Sequence, residues 1–353
     1  MSDNILKIAI SQGDINGISY ELFLKTFEDD RMTDNNITVL YGSSKVLAYH
    51  RKAMDLPAIK FNTVNNVQDA GSNRLNIINC GVDDIVVELS NPLPEAEEMA
   101  QKALDRALND LKQHLIDALV IAPSSINNAA YLRSVAGVKP LKILVSNSLR
   151  IAIATSDISL SEVAGTFTSN LLVTQLRALH HSLVHDFLLT MPRIAVLSLN
   201  PGKGIKERQY GKEENEVIIP ALKTANDNGI ICFGPYSAED FFPSNDYRKF
   251  DAILAIYDDQ AVAPFRLLSM SEGAIFYAGM PFVVTAPDIG VSYNLAGKNE
   301  SQETVMRNAI YLATDIVNNR AFDREINANP LRKQYFERGS DNERLDLTED
   351  EET

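Results

Sequence analysis

Short runs rich in β-branched residues alternate with helical patterns along most of the chain, and this alternation restricts the fold more than any other feature. It is typical of βαβ units, in which crossover helices join parallel strands. Several of the runs lack polar alternation, as strands covered by helices on both faces do. The sequence therefore predicts an α/β fold around a central sheet of parallel strands. We predict strands at Leu6–Ile10, Ile37–Tyr41, Leu75–Cys80, Ala118–Ala122, Lys142–Val145, Arg150–Thr155, Arg193–Leu199, Asp251–Tyr257 and Phe282–Thr285.

Length and composition fit a large globular protein. The 353 residues are enough for about two domains that each bury a core. Hydrophobic residues make up 45% of the chain and charged residues 23%, which is ordinary globular usage. The last residues, 336–353, are acidic and poor in large apolar side chains. We expect this segment to be a disordered tail.

The cysteines, the charge and the N-terminal residues limit the compartment and the partners. Cys80 and Cys232 stand far apart and form no CxxC motif, which favours two free thiols in a reducing compartment. The first residues lack the pattern of a secretory signal, and no run approaches about 18 apolar residues. We therefore expect a cytoplasmic protein. A formal charge of −14 repels nucleic acids and anionic membranes, so we expect neither as a partner.

Three polar, glycine-containing stretches follow predicted strands and are candidates for ligand binding. The first, Ser11–Glu21, places Gly13, Asp14 and Gly17 directly after the first strand. In open α/β sheets ligands bind at the carboxyl ends of strands, although a tight turn into a helix requires the same residues. The second stretch, LSLNPGKGIKERQYGKEE, has Glu207 where a dinucleotide fingerprint needs its third glycine. The third extends from CFGPYS through IYDDQ to APDIGVSYNLAG.

Together these stretches resemble the 4-hydroxythreonine-4-phosphate dehydrogenase (PdxA) family of pyridoxal phosphate biosynthesis, over nearly the whole chain. The matching residues occur in the order of the family. They are Gln12, Gly13, Asp14, Gly17 and Glu21, then Asn200, Pro201, Gly204, Gly211, Glu213 and Glu214, then Gly234, Pro235, Tyr257, Asp259 and Gln260, and finally Gly279, Pro281, Asp288, Gly290, Ala296 and Gly297.

The resemblance implies a two-domain α/β/α fold of the isocitrate and isopropylmalate dehydrogenase type. It implies a first domain of residues 1–125 plus 288–335, and a second of residues 126–287 that carries the dimer contacts. Substrate, metal and NAD would bind in the cleft between the domains, with help from the second subunit of a homodimer. The residues it implies for substrate or cofactor binding are Asp14, Asn200, Gly204, Glu213, Asp288 and Asn294.

The residues that hold the catalytic metal in this family are changed here. Such relatives bind a divalent ion through three histidines, and this chain has Asp157, Gly202 and Asp258 at the matching places. Carboxylates favour Mg²⁺ or Mn²⁺, so Asp157, Asp258 and Asp259 form an alternative all-oxygen site at which zinc is not expected. The same three acids also suit a solvated or helix-capping role.

The anion-binding residues of the family are changed as well. Its substrate-binding lysines fall on Asn128 and Arg266, an asparagine falls on Ile275, and an arginine falls on Val284. The segment between Asn127 and Lys142 is also shorter than in relatives and lacks a phosphate-contacting loop. These changes remove most of the charge stabilisation that the family reaction needs. A small phosphorylated ligand is nevertheless kept as a candidate, because Arg266 still supplies a cation.

Three functions follow as alternatives. The chain is an impaired dehydrogenase or pseudoenzyme that serves as a binding partner, either as a homodimer or as a heterodimer with an intact homologue. Alternatively, it is an active NAD-dependent oxidative decarboxylase with an aspartate-based Mg²⁺ or Mn²⁺ site and a different substrate. Residual family activity is the third. We favour the first, because metal ligands, anion partners and a loop are lost together.

Overall fold

A computed structural model describes residues 5–81, 86–202, 211–270 and 272–328. The predicted acidic tail and the candidate residue Gly204 lie outside the described residues. Within these ranges no helix combines the length and the apolarity that a bilayer span requires.

The described strands form a single sheet. Its strand order is β3-β4-β2-β1-β5-β12-β11-β6-β7-β10-β8-β9. The strands are β1 Leu6–Ser11, β2 Asn36–Gly42, β3 Phe61–Val64, β4 Leu75–Asn79, β5 Ala118–Ile121, β6 Leu141–Val145, β7 Arg150–Ile153, β8 Ile194–Leu197, β9 Cys232–Tyr236, β10 Ala252–Ala255, β11 Ala274–Ala278 and β12 Val283–Pro287.

The sheet is mixed rather than wholly parallel, which corrects the prediction from the sequence. Strand β11 runs antiparallel to both of its neighbours, β12 and β6, and β6 runs antiparallel to β7. The strands on either side of this central group pair in parallel. Strand direction depends on which strands become neighbours, and local hydrophobic patterns carry no information about that.

Helices cover the sheet. They are α1 Ser19–Thr26, α2 Ser44–Ala53, α3 Pro94–Lys112, α4 Asn128–Ala136, α5 Leu160–Thr166, α6 Ser169–His185, α7 Ile219–Asp227, α8 Ala238–Phe241, α9 Asp258–Ser269 and α10 Thr304–Ala328. Helix α3 begins at Pro94, whose fixed φ suits a first helical position, and acidic residues in its first turn complement the helix dipole.

The core lies on both faces of the sheet. In β1, Ile8 and Ile10 pack in one hydrophobic cluster and Ala9 packs in another, and none of the three is exposed to solvent. Successive side chains of a strand point to opposite faces, so both faces are covered. This confirms the α/β fold class and explains why the central strands lack polar alternation.

The sheet is continuous across the proposed domain boundary. Strand β12 pairs with β5 of the N-terminal part and with β11 of the middle part, and α10 packs on β12, β5 and β1. The division into residues 1–125 plus 288–335 and residues 126–287 stays a prediction. Both cysteines are free thiols, Cys232 buried and Cys80 partly buried.

Candidate functional site

Three neighbouring strands deliver the changed metal positions to one edge of the sheet. Strands β7, β10 and β8 are adjacent and parallel. Asp157 follows the end of β7, Asp258 opens α9 after β10, and Gly202 follows β8. Gln260 joins two of these strand ends, because its side chain accepts a hydrogen bond from the Ile256 amide at 3.0 Å and donates one to the Ser198 carbonyl at 2.7 Å.

Asp157 and Asp258 are in direct contact. The backbone amide of Asp157 donates a hydrogen bond to Oδ2 of Asp258 at 2.9 Å. Asp157 adopts a left-handed backbone conformation with φ of 62°, which is uncommon outside glycine but tolerated by aspartate. The two side chains are each 32% exposed, so the pair lies partly out of water.

Lys142 lies between these two carboxylates. Its Nζ is 3.4 Å from Oδ1 of Asp157 and 3.4 Å from Oδ1 of Asp258. Lys142 is near the start of β6, opposite Ile153 of β7 and Tyr277 of β11, and its side chain is only 15% exposed. We call Lys142, Asp157 and Asp258 the lysine–aspartate cluster.

Tyr277, the neighbour of Lys142 on β11, keeps its hydroxyl protonated. Burial, together with the carboxylates of Asp157 and Asp288, raises the pKa of Tyr277.

The described residues do not fit a divalent metal centre of the histidine type. Gly202 has no side chain to offer, and both aspartates already contact an ammonium group. Asp259, the third acid of the alternative site, is exposed on the first turn of α9. Among the residues that the structure describes, no group of three or more His, Cys, Asp or Glu side chains is arranged to hold a metal ion.

Asn200 is fixed by two glutamates. Buried Glu214 accepts hydrogen bonds from the backbone amides of Leu199 and Asn200, both at 2.9 Å, and from the Asn200 side chain, also at 2.9 Å. Glu213 accepts a further bond from the same amide group at 3.0 Å, and hydrogen bonds from its own backbone and from Asn200 lower the pKa of Glu213. A Cβ at Gly211 would lie 2.7 Å from Oε2 of Glu214 and closer still to Nδ2 of Asn200, so both side chains would have to shift to admit another residue.

Arg266 and Asp288 form an ion pair. Nη2 of Arg266 lies 2.9 Å from Oδ1 of Asp288, and Nε lies 3.2 Å from Oδ2. This two-point contact raises the pKa of the guanidinium, and the Asp288 side chain is only 4% exposed. Arg266 follows Asp258 on α9 by about two turns, roughly 12 Å at 1.5 Å per residue.

The other changed anion-binding positions offer no charge. Val284 is buried in β12, and Ile275 lies in β11 and packs against the core. Asn128 opens α4, and its Oδ1 is buried without a hydrogen-bond partner. Of the four positions, only Arg266 carries a cation, and Asp288 neutralises it.

Asp14 is committed to internal hydrogen bonds. Its Oδ1 accepts a bond from the Asn16 amide at 2.7 Å, and its Oδ2 accepts one from the Tyr293 hydroxyl at 2.6 Å. Asn294, next to Tyr293, has an exposed side chain. The groups predicted to bind substrate or NAD at Asp14, Asn200 and Asp288 are therefore all hydrogen-bonded or ion-paired within the chain.

Comparison with known proteins places the chain in a family. The model described as "Pyridoxal phosphate biosynthetic protein PdxA" matches residues 34–313. The chain belongs to the PdxA family. A 4-hydroxythreonine-4-phosphate dehydrogenase from Bacteroides thetaiotaomicron is 44% identical over 360 residues, covering 98% of each chain. One from a Sulfurihydrogenibium species is 30% identical over 324 residues, covering 88% of this chain and 98% of the relative.

A solved PdxA-family structure has the same fold. The crystal structure of 4-hydroxythreonine-4-phosphate dehydrogenase from Klebsiella pneumoniae superposes with a TM-score of 0.77 at 22% identity, covering 90% of this chain and 99% of that chain. At this identity the likeness concerns the fold. It confirms the α/β fold class that the resemblance implied.

The structure adds residues that sequence reasoning missed. The sequence predicts Lys142 only as the first residue of a strand, and no pattern distinguishes Tyr293. The available signal for Lys142 was its charge within LKILV, an otherwise apolar strand. The resemblance implies Glu213 for ligand binding, but Glu214 is the buried residue that holds Leu199 and Asn200 in place.

Proposed function

We propose that this chain is a PdxA-family homologue of NAD-dependent 4-phosphohydroxy-L-threonine dehydrogenase whose oxidation and decarboxylation are impaired. In this proposal it is retained as a binding or assembly partner rather than as an independent catalyst. The family connection to pyridoxal phosphate biosynthesis rests on the family model and on the 44% identical relative.

The observation that carries the proposal is the internal pairing of Arg266 with Asp288. A phosphorylated substrate needs unpaired cations, and bidentate guanidinium contacts are among the strongest ways to hold a phosphate. Here the two-point contact is made to Asp288 at 2.9 and 3.2 Å. A phosphate would have to displace a carboxylate and would remain beside its negative charge. Val284 and Ile275 offer it no compensating donor.

The metal-binding edge supports the same proposal. In the family a divalent ion polarises the substrate oxygen and stabilises the enolate, which is Lewis-acid catalysis. This chain has no side chain at Gly202 and an ammonium group between Asp157 and Asp258. Loss of a well-placed charge-stabilising group commonly costs about a hundredfold or more in rate.

The test is NADH formation from NAD and 4-phosphohydroxy-L-threonine, followed by absorbance at saturating substrate with Mg²⁺, Mn²⁺ or Zn²⁺ added separately. The Bacteroides thetaiotaomicron relative, purified in the same way, is the positive control. We expect turnover at least about a hundredfold below that of the control. Turnover comparable to the control with any of the three ions would contradict the proposal.

The contact between Asp157 and Asp258 favours a second candidate, an active decarboxylating dehydrogenase with a Mg²⁺ or Mn²⁺ site and a different substrate. Two carboxylates with bound waters can hold Mg²⁺. This candidate requires Lys142 to leave the pair, and the exposed Asp259 would have to turn inward to supply a third carboxylate. Stoichiometric Mn²⁺ on the purified wild-type protein would favour it over the first.

We further propose that the chain forms a homodimer, or a heterodimer with an intact homologue. Apolar side chains are exposed at the end of α9, where Leu267 is 80% and Met270 is 82% exposed. Such side chains close together are typical of surfaces that a partner covers. Light scattering at micromolar concentration should report twice the mass of one chain. A monomer would contradict the homodimer, and co-purification with the homologue tests the heterodimer.

A further inference from the structure

Lys142 does not behave as a surface lysine. Lysine side chains at the ends of strands normally extend their ammonium group into water, because the charge is strongly hydrated. The Lys142 side chain is only 15% exposed, and its Nζ lies at the same distance, 3.4 Å, from one oxygen of each aspartate. The strand register holds it there, since Lys142 pairs with Ile153, shortly before Asp157.

The two aspartates need a positive charge between them. Asp258 accepts the Asp157 amide through Oδ2 at 2.9 Å, which brings two like charges close together at a partly buried edge. Like charges that share such a site repel each other unless a cation neutralises them. Lys142 supplies this cation, and a metal ion bound between the two aspartates would compete with it for their Oδ1 atoms. An ammonium group and a divalent ion therefore exclude one another here.

We propose that Lys142 is a built-in counter-ion that replaces a divalent metal at the lysine–aspartate cluster. The edge of the sheet at β7 and β10 then keeps its geometry without any bound ion. It follows that removing the Lys142 charge converts Asp157 and Asp258 into a weak site for Mg²⁺ or Mn²⁺. This inference concerns ion binding and holds whether or not the dehydrogenase reaction is impaired.

The experiment compares Mn²⁺ binding by three proteins. They are the wild type, Lys142→Met, and Lys139→Met as a matched control, because Lys139 is an exposed lysine just before β6. Free Mn²⁺ is measured by electron paramagnetic resonance during titration. We expect Lys142→Met to bind one Mn²⁺ with a Kd on the order of 10⁻⁴ to 10⁻³ M, typical of weak carboxylate sites. Wild type and Lys139→Met should bind at least about tenfold more weakly.

Further variants assign the binding to the cluster. Adding Asp157→Asn or Asp258→Asn to Lys142→Met should abolish the Mn²⁺ site, and Lys142→Arg should keep the ion out because the positive charge remains. Far-UV circular dichroism checks that each variant folds. If Lys142→Met does not fold, Lys142→Gln is used, since it retains a polar head.

Two results would overturn the inference. One is Mn²⁺ binding by the wild type as tight as that of the neutral variant. The other is a folded Lys142→Met or Lys142→Gln protein with no gain in Mn²⁺ affinity. Neither result depends on NADH turnover, so a failure here is distinguishable from a failure of the proposed function.

Discussion

Replacement of Glu214 by glutamine tests the anchor of the Asn200 loop. Glu214 is 1% exposed, and its carboxylate accepts three hydrogen bonds at 2.9 Å. Glutamine keeps the size and one accepting oxygen, so the two backbone amides retain neutral bonds that are each weaker by about 1 kcal/mol. Its amide nitrogen faces the amide nitrogen of Asn200, and that bond, worth about 2 kcal/mol, is lost. A neutral side chain costs less to bury than a carboxylate, which offsets this loss of stability by about 1 kcal/mol.

We therefore expect Glu214→Gln to lower the free energy of unfolding by about 3 kcal/mol. The assay is urea unfolding followed by far-UV circular dichroism. Glu216→Gln is the control. Glu216 lies two residues farther along the chain, has a 63% exposed side chain and contacts only Lys212, at 3.7 Å, among the described ion pairs. It should change stability by less than about 0.5 kcal/mol. A loss below about 1 kcal/mol for Glu214→Gln would refute the assigned role of the buried carboxylate.

Three further predictions concern other buried groups. Burial lowers the pKa of His50, so the unfolded chain takes up the proton first and the free energy of unfolding declines as the pH falls below about 6.5. His50→Gln should therefore reduce this pH dependence by up to about 1.4 kcal/mol per pH unit, measured by urea unfolding between pH 7 and 5. Burial raises the pKa of each cysteine thiol to about 11. Ellman's reagent at pH 8 should therefore react with the native protein roughly a hundredfold more slowly than with the unfolded chain, and equal rates would contradict this. A Cβ at Gly17 would lie 2.8 Å from the Val291 carbonyl oxygen, so Gly17→Ala should lower the free energy of unfolding by about 1–3 kcal/mol. The control is Gly165→Ala, which has open space around it and should not lower the urea midpoint.

The sequence was sufficient to predict the α/β class and most of the central strands. The predicted run Ala118–Ala122 corresponds to β5 at Ala118–Ile121, for example. Three strands, β3, β9 and β11, were not predicted. Strand β3 is an edge strand with a half-exposed pattern, and β9 contains Gly234 and Pro235. Strand β11 pairs antiparallel with β12 and β6, and the predicted strands β6 and β7 also pair antiparallel, so the expectation of parallel strands fails at both places.

The candidate site was predictable only in part. Resemblance to the PdxA family drew attention to Asp157 and Asp258, and the structure places them in contact. It could not indicate Lys142, because the role of that residue depends on strand register and on contact with Asp258, which is more than one hundred residues away in sequence. The pairing of Arg266 with Asp288, which are 22 residues apart, likewise arises only from tertiary packing. Which charged side chains neutralise each other is decided by the tertiary fold and cannot be predicted from local sequence.

The position of β12 also sets the order in which the chain can fold during synthesis. Its residue Val283 pairs with Ala118 of β5, so β5 has an unsatisfied edge until nearly the whole chain has left the ribosome. Helix α10, which covers β12, β5 and β1, emerges later still. The N-terminal part therefore waits for the C-terminal part before its core closes. An exposed strand edge invites pairing with other chains, so truncated products that end before β12 should be strongly prone to aggregation.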